Sequence, residues 1–278
     1  MDKIKKLLKL FRNIFQTNFI ISFWIFLFML AVYTVLRAGF FLYNSDFYQD
    51  IPANQILRAF VYGIRFDIAA LLMINLPVLI LFNLPFKFYT VKFYRHFFFV
   101  LFCIFNLLGI GLNIADYAYY PTIQRRLLFE PFTETLDLIR MAPGLFKNYA
   151  PLILAFFLFA ALFVWVALKV SKLVEKKTLK QFSYWRASVS LALIILFVVT
   201  GIRGGLQLKP IRQTNAFFSD SKPLGYLVLN STYSVIRCYF QYTFPDYYFY
   251  SNDEASSIVT ELIKSVDEEM LDKNYPFL

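Results

Sequence analysis

Five stretches of mostly apolar residues, over 19–36, 64–84, 97–115, 150–170 and 187–202, constrain this chain more than any other feature. A helix rises about 1.5 Å per residue, so each approaches the roughly 20 residues that carry a backbone across a bilayer core. Hydrophobic side chains make up 59% of the 278 residues, more apolar surface than a soluble core of this size could bury. The expected fold class is therefore an all-α integral membrane protein with five transmembrane helices. Pro77 falls inside the second stretch, where neighbouring helices can satisfy the carbonyl it frees.

Basic residues in the short connections give the orientation. With the N-terminus in the cytoplasm, the inner segments hold Lys3, Lys5, Lys6, Lys9 and Arg12, then Lys87, Lys92 and Arg95, then Lys169, Lys172, Lys176, Lys177, Lys180 and Arg186. The only acids set against them are Asp2 and Glu175, whereas the outer loops balance their arginines and lysines with acids. The expected topology is N-in and C-out, across a cytoplasmic membrane. The formal charge of +10 is thus a topology signal rather than a nucleic-acid footprint, and no nucleic-acid partner is expected. Residues 1–18 read as a basic amphipathic segment on the inner face.

At 201–210 the chain reads GIRGGLQLKP. Paired glycines, a run of polar residues and a closing proline mark the end of the last crossing. Three regions follow: the basic segment 1–18, a transmembrane domain over 19–206, and an extracytoplasmic linker over 207–278. Within the long third loop, Phe132, Leu136, Ile139 and Met141 predict an amphipathic helix after Pro131. The tyrosine-rich 225–250 is expected at headgroup level, and 253–270 as a soluble helix with one apolar side.

Polar residues near the outer helix ends are the candidate functional positions: Arg37, Arg65, Asp67, Asp116, Arg203, Gln207 and Lys209. Arg65 and Asp67 are two apart and cannot face each other on a helix, so Asp67 is expected to meet Arg37 across an antiparallel pair, or Arg203. The plainer reading is helix-end charge that snorkels and cross-braces; the functional one is a ring contacting outer-leaflet headgroups. Asn75, Asn106 and Asn113 lie within the apolar stretches and are expected to hydrogen-bond between helices. Cys103 and Cys238 have no partner at metal-ligand spacing, His96 is the single histidine and reads as a loop residue, and no catalytic, cofactor-binding or metal-binding residue is expected in this chain.

The order of features resembles the membrane half of the LTA synthase family, sulfatase-like phosphoglycerol transferases of the alkaline phosphatase superfamily. The resemblance rests on GIRFD at 63–67, DYAYY at 116–120 with Arg125 and Arg126, RGGLQLKP at 203–210, Leu229–Asn230, and YPFL at 275–278. It implies an α/β catalytic domain beyond Leu278, with a threonine nucleophile and a divalent metal, usually manganese. It also implies a phosphatidylglycerol donor among the anionic membrane lipids. No member of that catalytic set can be carried onto this sequence. A phosphoethanolamine transferase shares the five-helix plan, and a non-enzymatic scaffold or transporter fragment is the alternative from another class.

Overall fold

The computed structural model describes residues 15–86, 91–133, 135–178, 183–241 and 249–263. Nearly all of the basic segment expected over 1–18 lies outside these. Among the described residues the regular elements are helices: α1 (Thr17–Tyr43), α2 (Ala53–Phe82), α3 (Lys92–Ile123), the single turn α4 (Glu130–Thr133), α5 (Thr135–Asn148), α6 (Ala150–Thr178), α7 (Tyr184–Ile202), α8 (Lys222–Val228), α9 (Ser231–Gln241) and α10 (Asn252–Ile263). Two 3-10 turns, Ser45–Tyr48 and Gln213–Ala216, join them. α1, α2, α3, α6 and α7 are the five helices long and apolar enough to cross a membrane, so the multi-pass architecture stands.

α2 is the hub, packing against α1, α3, α7 and α8. Small residues allow this: Ala59, Ala69 and Ala70 are fully buried, and backbones approach closely where side chains are small. α6 packs on α3 and α1 and turns Leu154, Phe157, Leu158, Leu162 and Trp165 outward, the face expected of a helix solvated by lipid.

At one end of the bundle three helices outrun the apolar stretches that announced them. α1 continues to Tyr43, α2 starts at Ala53 and α3 continues to Ile123. GIRFD therefore does not open the second helix but lies nearly three turns inside it, and DYAYY ends three residues short of the third helix's end. Hydropathy marks only the lipid-solvated part of a helix. The stretch 53–62 is polar enough to escape that signal, yet it forms helix directly after Pro52, which stands at the N-cap. At about 1.5 Å per residue these extensions reach two to three turns beyond the last lipid-facing turn and form a collar at one end of the bundle. His96, expected in a loop, is an exposed residue of α3.

Residues up to Phe240 form one compact unit and Gln241–Leu278 another. Part of the expected linker thus belongs to the same unit as the spanning helices. In the second unit the described element is α10, whose start is capped reciprocally. The Glu254 amide donates to Ser251 Oγ at 3.3 Å, and the Ser251 amide donates to Glu254 Oε2 at 3.0 Å. The Ser251 amide foremost, and the Ser251 hydroxyl donating to the same oxygen at 3.0 Å, hold the Glu254 carboxyl below its ordinary range.

Candidate functional site

The expected headgroup-level segment 225–250 is instead core over its first part. Leu224, Leu227, Val228, Leu229, Asn230, Ser231, Thr232, Tyr233 and Ser234 are buried. The chain enters as α8, breaks at Leu229 in an extended conformation (φ −68, ψ 158), and leaves as α9. The break brings two helix ends into the collar, and the buried charges of α1, α2 and α3 converge on it. Tyr226 is half-buried, Tyr239 and Tyr250 are exposed, and Tyr242, Tyr247 and Tyr248 lie outside the described residues.

Arg37 is the centre. Its Nη1 donates to the carbonyls of Leu227, Val228 (2.6 Å) and Leu229 (3.2 Å). Its Nη2 donates to Gly63 O at 3.1 Å and to Asp67 Oδ1 at 2.5 Å. A cation at a helix C-terminus meets the negative end of the helix dipole, and here it closes the last carbonyls of α8. The guanidinium lies against Gly63, where a β-carbon would collide with it. The expected Arg37–Asp67 pairing is observed, and Arg203 instead donates to Gln207 O and Leu208 O.

Asn230 joins that pair to α9. Its Nδ2 donates to Asp67 Oδ1 at 2.8 Å, while its Oδ1 accepts the Tyr233 amide at 2.8 Å. The second contact is the N-cap bond of α9, so one side chain both starts the helix and ties it to α2. A parallel pair lies alongside. Arg126 Nη1 meets Asp116 Oδ2 at 2.9 Å, the Leu127 amide donates to Asp116 Oδ1 at 2.8 Å, and Ser231 Oγ donates to the same carboxylate. Arg126 also donates through Nε to Tyr226 O at 2.7 Å and stacks 3.5 Å above the Phe40 ring. Gln124 makes this possible by closing α3 in the left-handed region (φ 56), which turns the chain back toward Asp116.

Below the charges, Asn113 Nδ2 donates to Thr232 Oγ1 at 3.0 Å, Tyr33 Oη lies 3.0 Å from the same oxygen, and Thr232 Oγ1 donates to Gly109 O at 3.2 Å. Deeper still, Asn75 and Asn106 exchange hydrogen bonds of 3.0 and 2.7 Å. The expected interhelical role fits all three: Asn75 and Asn106 join α2 to α3, and Asn113 joins α3 to α9. Two phenols finish the seat: Tyr48 donates to Pro223 O at 3.3 Å and Tyr233 to Ile211 O at 2.8 Å. Burial pushes both phenols above their ordinary range, so both remain protonated donors.

The seven candidate positions thus separate into two groups. Arg37, Asp67 and Asp116 are 4%, 1% and 0% exposed, so in this conformation they are covered, neither facing headgroups nor snorkelling, while the Arg37–Asp67 pair cross-braces α1 and α2. What removes them from the boundary is the returning tail segment, which covers them. Arg65, Arg203, Gln207 and Lys209 stay at the surface or half-buried, in a separate cluster where Arg65 donates to Gly204 O and to Gln207 Oε1 at 2.9 Å. Sequence reasoning missed Arg126, Asn230, Ser231 and Thr232 as members of the buried site. An arginine ten residues past Asp116 gives no helical-spacing signal, because the turn at Gln124 creates the contact.

Among the described residues no group of three or more His, Cys, Asp or Glu is placed to hold a metal ion. What the arrangement does chemically is hold a segment: two carboxylates, two guanidiniums and a set of backbone carbonyls neutralise one another. No family model matches the chain, and neither a curated protein nor a solved structure is significantly similar to it.

Proposed function

We propose that this chain is the membrane anchor and linker of a sulfatase-like transferase that acts on lipid-linked phosphoglycerol in the bacterial cell envelope. The observation that carries the proposal is the seating of 224–234 inside the collar by Arg37, Asp67, Asp116 and Arg126. A protein that only needed to be tethered could leave its last span through a flexible loop. Here the chain returns into the bundle, and 224–234 is locked there before the chain departs.

That design suits an enzyme whose substrate lies in the membrane. A donor such as phosphatidylglycerol is confined to a leaflet, and a catalytic domain mounted at a set height above it gains effective concentration and orientation. In this reading the tail is extracytoplasmic, and the catalytic threonine and its divalent metal, manganese by resemblance, reside beyond Leu278. The matching stretches support it: GIRFD supplies Gly63 and Asp67, DYAYY supplies Asp116, and Leu229–Asn230 is the break itself.

The test is the native product. An antibody against 252–263 should detect a band well above the 32.8 kDa of this sequence, and membranes carrying it should transfer labelled phosphoglycerol from phosphatidylglycerol. A native band at 32.8 kDa with no transfer would overturn the enzyme reading in favour of a scaffold. Transfer of phosphoethanolamine instead would move the anchor to that branch of the same fold.

A further inference from the structure

Immediately after α7 the chain forms a closed loop over 203–211. Its base is sealed by the Ile211 amide, which donates to Arg203 O at 2.9 Å, and by the buried Ile211 side chain. Gly204 and Gly205 take φ of +74 and +136, a reversal that side chains with a β-carbon resist; at Gly204 a β-carbon would press on Ile211. Two arginines brace the interior. Arg203 Nη2 donates to Gln207 O at 3.0 Å and Leu208 O at 2.6 Å, and Arg65 from α2 donates to Gly204 O at 2.8 Å.

This framework holds Leu206 and Leu208 out at 91% and 96% exposure. Scattered exposed leucines need no explanation, but two at the tip of a loop built from backbone reversals and guanidinium braces differ. Such bonding costs conformational freedom and is offset when the leucines enter an apolar phase. The nearest such phase is the bilayer. The loop starts at the residue after α7, whose last turns show Leu196, Phe197 and Val199 outward. Charge points the same way: residues 201–219 contain Arg203, Lys209 and Arg212 and no acid.

We propose that the loop 203–211 is a docking element for anionic phospholipid of the bilayer the helices cross. Leu206 and Leu208 seat among the upper acyl chains, and Lys209 and Arg212 lie against phosphates. The inference rests on the membrane-spanning reading of the five helices alone, and not on the transferase reading. Leu–cation adjacency at the mouth of a span recruits anionic lipid to the foot of the seated tail segment.

The test uses the full chain with Leu208→Cys carrying an environment-sensitive fluorophore, in a Cys238→Ser background because Cys103 is buried. It is reconstituted in vesicles of phosphatidylcholine and of phosphatidylcholine mixed with phosphatidylglycerol. The expected result is blue-shifted emission and quenching by shallow spin-labelled lipid, with preferential quenching by spin-labelled phosphatidylglycerol. That preference should fall about fivefold for each charge removed in Lys209→Gln and Arg212→Gln, and should weaken with salt. A fluorophore reached by an aqueous quencher in both vesicles overturns the proposal. Burial that is identical in both vesicles and indifferent to the two substitutions overturns the anionic assignment. Neither outcome depends on the size of the native product, so failure here is distinguishable from failure of the anchor reading.

Discussion

At the scale of single residues, the decisive balance is between desolvation and pairing. A charge buried without its partner costs about 3–5 kcal/mol, whereas replacing a whole buried pair by apolar residues is often close to neutral. Asp67→Ala strands Arg37 among carbonyls, and we expect it to lower stability in detergent by that amount. The double variant Arg37→Met with Asp67→Leu should recover much of the loss, as thermal unfolding of the single and double variants will show. Equal losses in single and double variants would mean the carbonyls of 227–229, not Asp67, carry the interaction. Asn75→Leu removes the two neutral hydrogen bonds exchanged with Asn106 and should cost about 1–2 kcal/mol, the range for polar contacts between membrane helices. In Gly63→Ala the β-carbon meets the Arg37 guanidinium; we expect about 1–3 kcal/mol, typical of overpacking.

Helix ends set the behaviour of the elements. α9 starts at Asn230, which caps it and reaches Asp67, so Asn230→Ala should cost about 1 kcal/mol for the cap plus the lost bond to Asp67. Asn230→Asp keeps the cap but sets a second carboxylate beside Asp67, and should be the worse variant when both are compared by thermal unfolding. α10 provides a pH test. The Glu254 carboxyl is held below its ordinary range by the Ser251 amide, so the folded form binds its proton less readily than the unfolded one. The capping contribution is present above the ordinary carboxylate range and is lost as pH falls through the lowered value. An NMR titration of the full chain should show the Ser251 amide shifting at a pH below that of an unperturbed glutamate; coincidence with the unperturbed value would contradict the capping geometry. Much at this scale was legible. Runs of about 20 apolar residues can hardly be anything but spans, and the apolar side of 253–270 announced α10, although its Ser251–Glu254 cap went unread. The collar was not legible, because helix 53–62 and helix 117–123 are polar enough to look like loops to any hydropathy argument.

At the scale of the whole molecule, the chain past its last span returns to the bundle, and 224–234 belongs to the core of the first unit. Arg37 and Asp67 could be paired from sequence because antiparallel spans must bring their ends together, and Arg65 and Asp67 could not face each other. Asp116 found its arginine through a left-handed turn at Gln124, and the tail found its seat through a break at Leu229; neither conformation has a sequence period. The result replaces a lipid-facing ring of charge by a neutralised clamp, and leaves Arg65, Arg203, Gln207 and Lys209 as the surface cluster. The account stands on the claim that 224–234 is held by that clamp. Amide hydrogen exchange of the full chain in lipid nanodiscs measures this directly. We predict that 227–235 exchanges as slowly as the buried turns of α2, and that Asp67→Ala releases 227–235 while leaving α6 unchanged. Fast exchange across 227–235 in the unmodified protein would contradict the account.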